Sequence, residues 1–502
     1  MSAIVLDGRS LDPKTVERIA QGAAVALDPK CRQAMEHGRA IVDRYLREGI
    51  PAYGLNTGLG LRSDEPLSDA AAVDFAYRTV RGRAQGLGPP LAAEEVRAVI
   101  AARLNTLLSG EAGASPNVAD HLAEVLNRNV IPAMPRRASI GAGDLVAMAA
   151  LPHALIGEGE VLIEGERLKA AEGLKRAGLA PLALKPKDGH LLCNITSFSV
   201  GLASLAAARA SRAVGNLQIA GALSLEGFRG NLSPFEAAVV RARPQPGQVK
   251  VGDELMMLLE GGLLRGAARR LQDPLSLRCM AQVHGAADAQ LAALHDCLAV
   301  ELNHAADNPV VLIGEGRIAS TGNFHLPLLA QRLDASARAL AWAATDSVSR
   351  IARLMSAEFS GLPPLLSSHE AARAGFGPLM KPAEALRAEI IHAANPVPIM
   401  PSQNAGGQED SATFAALAAE KLGQILDGLD LIIALELLAG AQAIDLAKPE
   451  RIAPRLGLVH QAIRQRSPFI DDDRPLGREI ETIADELVAS GVLLRIVGLK
   501  VP

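Results

Sequence analysis

Aromatic side chains are scarce in this chain: one Trp, three Tyr and nine Phe, or 3% of 502 residues. So little aromatic surface argues against a β-sandwich, and the Ala/Leu/Val-rich 49% hydrophobic content suits many packed helices instead. Cysteine is rare too. Cys31, Cys193, Cys279 and Cys297 are scattered with no Cys-x-x-Cys pair, which points to free thiols in a reducing cytoplasm and gives no zinc signature. A net charge of −4 lacks the basic footprint of a nucleic-acid binder. No basic start leads into an apolar run, so no signal peptide is expected. The most apolar stretch, Leu431 to Ala447, follows Asp430 and is broken by Glu436 and Asp445, which suits a buried bundle helix better than a membrane span. His284, His295, His304 and His325 lack i,i+4 ligand spacing, so no metal site is expected.

What is present is mostly helical. The apolar run Ala3 to Leu6 ends at an Asp7-Gly8 turn, and Ser10 or Asp12 with Pro13 begins the first helix. Helical patterning covers Cys31 to Glu48, residues 70–130 and Val146 to Ile156, followed by a hairpin near 160–168. Residues 166–188 alternate charge and apolar groups and are expected to form a mobile insertion. Beyond Asn194, long helices are expected near 196–226, 250–270, 281–306, 325–356, 383–394, 409–447 and 475–494. The organisation expected is one continuous fold with an N-terminal lobe (1–195), a central long-helix bundle (196–450) and a C-terminal helical segment (451–502).

Three loops stand out. Tyr53-Gly54-Leu55-Asn56-Thr57-Gly58-Leu59-Gly60 has too many glycines for a regular helix. Gly141-Ala142-Gly143-Asp144 reads as a tight loop before a helix that Asp144 caps. Arg81 and Arg83, two apart, cannot share a helical face, so one is expected to be solvated while the other points inward.

The motifs Tyr53-Gly-Leu-Asn-Thr-Gly, Gly141-Ala-Gly-Asp-Leu, Asn194-Ile-Thr, Gln272-Asp-Pro-Leu-Ser-Leu-Arg278, Glu301-x-Asn-x-x-x-Asp-Asn-Pro309, Gly322-Asn-Phe-His and Gln408-Glu-Asp410 occur in an order that resembles the aromatic amino acid lyases. The resemblance covers almost the whole chain. It implies an all-α fold built on a long-helix bundle, and a homotetramer whose active sites are shared between subunits. It implies Tyr53 as the base that removes the β-proton, Arg278 as the clamp on the substrate carboxylate, Asn194 and Asn323 as polar lining, and Glu409 as the acid facing the ring. A base, an anion clamp and an acid are the parts an elimination needs.

The chain also departs from the family pattern. The family's Gly-Ala-Ser-Gly-Asp loop cyclises into a methylidene-imidazolone electrophile, whereas here Ala142 is followed directly by Gly143, so that cofactor is expected to be absent. Leu275 stands where the family has a tyrosine, Gly82-Arg83 replaces Ser-His of the histidine-specific members, and Met380-Lys381-Pro382 brings a second new cation. The pattern is similar to the ergothioneine-cleaving branch of the family, which yields thiourocanate and trimethylamine. A quaternary amine leaves as a neutral molecule and needs no protonation, and it carries no N–H, so an apolar Leu275 suits it. Arg83 and Lys381 are then expected at the thione or imidazole side. The competing expectations are a lyase of the same fold acting on histidine, hercynine or another betaine, and a catalytically silent ligand-binding paralogue. All of these take a small-molecule substrate or ligand, with no nucleic-acid or membrane partner.

Overall fold

A computed structural model describes residues 3–264, 268–367 and 373–500. The fold is 61% helix with a few short strands, as expected of an all-α lyase. The chain divides into two units: Met1–Leu205 with His295–Leu333 and Val397–Glu420, and Ala206–Leu294 with Asp334–Pro396 and Lys421–Pro502.

In the first unit, strand Ile4–Leu6 pairs in parallel with Val25–Leu27. Helix Pro13–Ala20 follows, and Asp12 accepts the Thr15 N–H at 2.6 Å as its N-cap. The expected helical stretch from 70 to 130 is three helices, Asp69–Arg83, Ala93–Leu107 and Pro116–Asn127. Strand Leu87–Pro90, paired with Pro135–Arg137, separates the first two because Pro89 and Pro90 cannot donate to a helix ladder. The hairpin lies where expected, Glu160–Ile163 with Glu166–Lys169, and gains Ile131–Pro132 as a third strand. Residues 166–188 are no loose insertion. They hold helix Ala170–Arg176, and Leu182, Leu184, Lys187 and Asp188 are buried.

A buried charge network sits under the stretch Asp188–Cys193. Arg103 and Asp307, both buried, pair at 2.8 Å, and Arg103 also donates to Leu191 O. Lys187 donates to Ala112 O, and burial pulls its ammonium down to about 8.

The second unit is almost wholly helical. Glu436, fully buried, accepts from Arg350 Nε and Nη2 (2.5 and 2.8 Å), Ser224 Oγ (2.8 Å) and Ser347 Oγ (2.5 Å). Every lone pair a buried carboxylate would otherwise leave bare is therefore used, which explains a charge inside the most apolar helix. The expected helix over 250–270 ends at Leu258, before the Gly261-Gly262 break, and residues 265–267 lie outside the described residues. The helix expected from 409 starts at Ala415. The one expected over 475–494 is Gly477–Ile483, a π-helical turn Ala484–Ala489 and Val492–Val497.

The stretch Asp188–Phe228 is long and apolar enough to cross a membrane by length and composition, and 94% of its apolar window is buried inside the protein. Among the described residues no three His, Cys, Asp or Glu side chains are grouped to hold a metal.

Candidate active site

The first unit contains a cavity of about 610 Å³, a volume suited to a small molecule. Tyr53 and Thr57 from the glycine loop line it, with Ser63 and Asp64 just beyond that loop, Ala142, Leu145, Asn194, Asn308, Phe324, Gln408 and Glu409.

Tyr53 is set by its loop. Gly54 has φ +64°, and a Cβ there would lie 2.8 Å from Leu59 Cδ2 and 3.1 Å from His190 Cδ2, so only glycine permits this turn. The Gly60 N–H donates to Tyr53 Oη at 3.3 Å. Asn56 ties the loop's base, accepting from Ala52 N and donating to Ile50 O, each at 2.8 Å.

The second wall is the loop Ser139–Asp144. Gly141 and Gly143 take φ of +75° and +76°. A Cβ on Gly141 would meet Thr413 Oγ1 at 2.1 Å, and one on Gly143 would meet Asn194 Oδ1 at 2.4 Å. Asp144 stands at the helix N-cap position, as expected, but makes no capping bond. Its carboxylate accepts instead from Ser139 Oγ, Ser199 N (2.8 Å) and Ser199 Oγ (2.9 Å), and burial pushes it up to about 6.

Glu409 begins the short strand Glu409–Ser411, paired antiparallel with Pro401–Asn404. Burial raises its carboxyl above the ordinary value, and the Arg83 guanidinium pulls it back. The same Arg83 charge acts on His190 and Cys193. Arg81, by contrast, is held outward in a bidentate pair with Glu158 at 2.8 and 2.6 Å. The two arginines divide as their spacing predicts.

The first unit therefore brings together Tyr53, Asn194 and Glu409 around one cavity, with Arg83 acting on Glu409. Asn323 is exposed and donates to Ala305 O, while its neighbour Phe324 lines the cavity. Leu275, Arg278 and Lys381 belong to the second unit. There Leu275 is 62% exposed, Lys381 is exposed in the first turn of helix Met380–Ala393, and Arg278 donates to Gln272 Oε1 while its buried Nε has no partner among the described residues.

Sequence reasoning missed His190 and Asn308. His190 Nε2 lies 2.7 Å from the Asn308 carbonyl, which also accepts from Asn194 Nδ2 at 3.0 Å. The available signal was spacing: His190 precedes Asn194 by four residues, one helical turn.

A sequence profile of aromatic amino acid lyases matches residues 11–465. The chain belongs to the aromatic amino acid lyase family. It is 37% identical to the histidine ammonia-lyase of Anaeromyxobacter sp. (strain K), across 98% of this chain and all of that one. Ergothionase from Treponema denticola, solved with desmethyl-ergothioneine sulfonic acid, superposes with a TM-score of 0.93 at 29% identity, covering 98% of this chain and all of the other. Tyrosine aminomutase from Streptomyces globisporus superposes at 0.92 with 31% identity, covering 99% and 98%.

These comparisons correct one expectation. Sequence relatives of this lyase are histidine ammonia-lyases, which carry the methylidene-imidazolone group, so family membership overturns the expectation that the cofactor is absent. The loop itself has Ala142 bonded directly to Gly143, and Ser139 is engaged by Asp144. These residues do not present the Ala-Ser-Gly tripeptide.

Proposed function

We propose that this lyase eliminates trimethylamine from ergothioneine, giving thiourocanate. The observation that carries the reading is the Arg83 charge acting on Glu409 beside Tyr53, where histidine-specific members have Ser-His. A permanent cation with a protonatable carboxyl suits a ring that must accept electron density, more so when the ring bears a thione sulfur. The structural likeness to ergothionase supports the same substrate class.

In this reading Tyr53 takes the Cβ proton, and the C–H electron pair becomes the Cα=Cβ double bond. The Cα–N bond breaks with its pair on nitrogen, which leaves as neutral trimethylamine. Glu409, its carboxyl raised by burial, holds or protonates the imidazole side. Arg83 and Lys381 engage the thione or ring nitrogens, Arg278 grips the carboxylate with its guanidinium fork, Leu275 faces the methyl groups, and Asn194 and Asn323 supply polar lining. Phe324 offers the aromatic face that attracts quaternary ammonium groups. The second-unit residues enter the site through a cytoplasmic homotetramer with active sites shared between copies.

The second reading is histidine, favoured by the 37% identity to histidine ammonia-lyase. Purified protein incubated with ergothioneine, hercynine and histidine separates the two by ultraviolet absorbance of the conjugated product and by assay of the released amine. Trimethylamine from ergothioneine is the expected result. Ammonia from histidine, with ergothioneine untouched, overturns it. Calorimetric binding of ergothioneine with no amine released identifies a silent paralogue.

A further inference from the structure

His190 is 3% exposed and lies in the short helix Asp188–Cys193. A carbonyl oxygen only accepts, so the 2.7 Å approach of Nε2 to Asn308 O puts the ring proton on Nε2. Asn194 Nδ2 donates to the same carbonyl, which makes its 3.3 Å separation from His190 Nε2 the proximity of two converging donors. The other ring nitrogen, Nδ1, is buried and has no partner among the described residues. Burial, with Lys187 and Arg83 nearby, drives the imidazole down to about 4, so it is neutral at working pH.

Two parts of the base-bearing loop rest on this ring. The Tyr53 phenol meets it nearly perpendicularly, with centroids 5.6 Å apart and planes at 82°. The Gly54 α-carbon sits so close that an added Cβ would lie 3.1 and 3.2 Å from His190 Cδ2 and Cγ. One buried side chain thus touches Tyr53, bounds the turn behind it and is itself locked to the Asn308 carbonyl, beside the cavity that Tyr53, Asn194 and Asn308 line.

We propose that His190 is a positioning residue for Tyr53: a neutral Nε2–H imidazole, fixed by Asn308 O, that sets the direction in which the phenol oxygen faces the cavity. The proposal rests on the reading of Tyr53 as the proton acceptor. Substrate binding belongs to other groups, so loss of the ring weakens the proton-transfer step and leaves ground-state affinity nearly intact. A misplacement of about 1 Å costs on the order of 100-fold in rate.

The test is a set of three variants assayed with ergothioneine, hercynine and histidine. His190→Leu keeps bulk but loses the N–H, and is expected to lower kcat by roughly 10- to 100-fold with KM changed less than about threefold. His190→Gln places an amide nitrogen where Nε2 stood and restores the bond to Asn308 O, so it is expected to recover most of kcat. His190→Asn carries its amide at the Nδ1 position and is expected to resemble Leu. Full kcat in the Leu variant, a loss confined to KM, or a Gln variant no better than Asn overturns the proposal.

A second readout needs no turnover. The chain has three tyrosines, Tyr45, Tyr53 and Tyr77. Tyr45 and Tyr77 hydroxyls accept from Ile318 N (3.0 Å) and Leu184 N (3.1 Å) and serve as internal references. Nitration by tetranitromethane, read by peptide mass spectrometry, is expected to rise several-fold at Tyr53 relative to both references in the Leu variant and to return in the Gln variant. An unchanged ratio in all variants overturns the proposal. If the unmutated protein releases no amine from any of the three substrates, the functional reading falls, and nitration still decides the role of His190.

Discussion

Substituting His190 by Gln removes one titration from the protein while keeping a donor for Asn308 O, so the pH dependence of stability isolates the buried imidazole. The folded group sits at about 4 against an ordinary 6.5. Between those values the unfolded chain binds the proton and the native state does not. The native state therefore enjoys this group's full contribution above pH 6.5 and loses it as pH falls toward 4, below which the effect is flat. The loss amounts to about 3 kcal/mol. Asp144 runs the other way: its carboxyl, raised to about 6, makes the native state gain relative stability as pH falls from 6 toward 3.8. The unmutated curve alone therefore mixes opposing terms, and the quantity to measure is the difference between the unmutated and His190→Gln proteins. For a chain of this length each kcal/mol moves the melting temperature by about 1 °C. Circular dichroism melts from pH 7 to pH 4.5 should show the unmutated protein losing about 2–3 °C relative to the variant. A constant difference, or one of opposite sign, refutes the assignment of His190 as a neutral buried group.

Four further outcomes are expected. Tyr53→Phe should cut kcat by about 100- to 10,000-fold with binding of ergothioneine retained in calorimetry, and retained turnover removes the base assignment. In Arg83→Met, Glu409 loses the cation that lowers it, so its carboxyl rises further and the corresponding limb of the kcat/KM profile moves to higher pH; an unmoved limb separates the two groups. Arg350→Met strands the buried Glu436 and should cost about 3–5 kcal/mol in urea unfolding, with much of it recovered in Arg350→Met/Glu436→Leu. Gly54→Ala forces a side chain into a left-handed turn against Leu59 and His190, and should lower kcat without abolishing folding, as read by kinetics beside a melt.

Features written in short-range chemistry were legible in the sequence. The Asp12 cap, the hairpin at Glu160–Lys169 and the left-handed Gly141 and Gly143 follow from neighbours a few residues away, and the division of Arg81 and Arg83 from their two-residue spacing on one helix. What distant partners decide was not. Helical patterning runs unbroken into Glu409, yet Thr413 and Phe414 spend their N–H groups on Ile140 O, more than 270 residues earlier, and the helix starts only at Ala415. Residues 166–188 looked loose because their charges alternate, but Lys187 and Asp188 find buried partners on Ala112 and Ser115. His190 was hidden in the apolar Leu-Leu-Cys run because its partners, Tyr53 and the Asn308 carbonyl, are each over 100 residues away. Of the site itself, Tyr53, Asn194 and Glu409 line one cavity.

The link between Ile140–Ala142 and the segment after Glu409 limits how this protein can be recombined. Thr413 and Phe414 N–H groups both end on Ile140 O (3.1 and 3.0 Å), Thr413 Oγ1 donates to Gly141 O (2.9 Å), and Ala142 forms a backbone bridge with His325. Three stretches far apart in the chain are thus tied into one knot of main chain at the cavity wall. A chimaera that imports the 138–144 loop of another lyase, for instance one with an extra residue there, changes the register of that knot and displaces Glu409 with it. Grafts that move the loop, the 322–325 turn and the 409–414 segment together keep the knot's own geometry, and those are the exchanges that should yield folded, active hybrids.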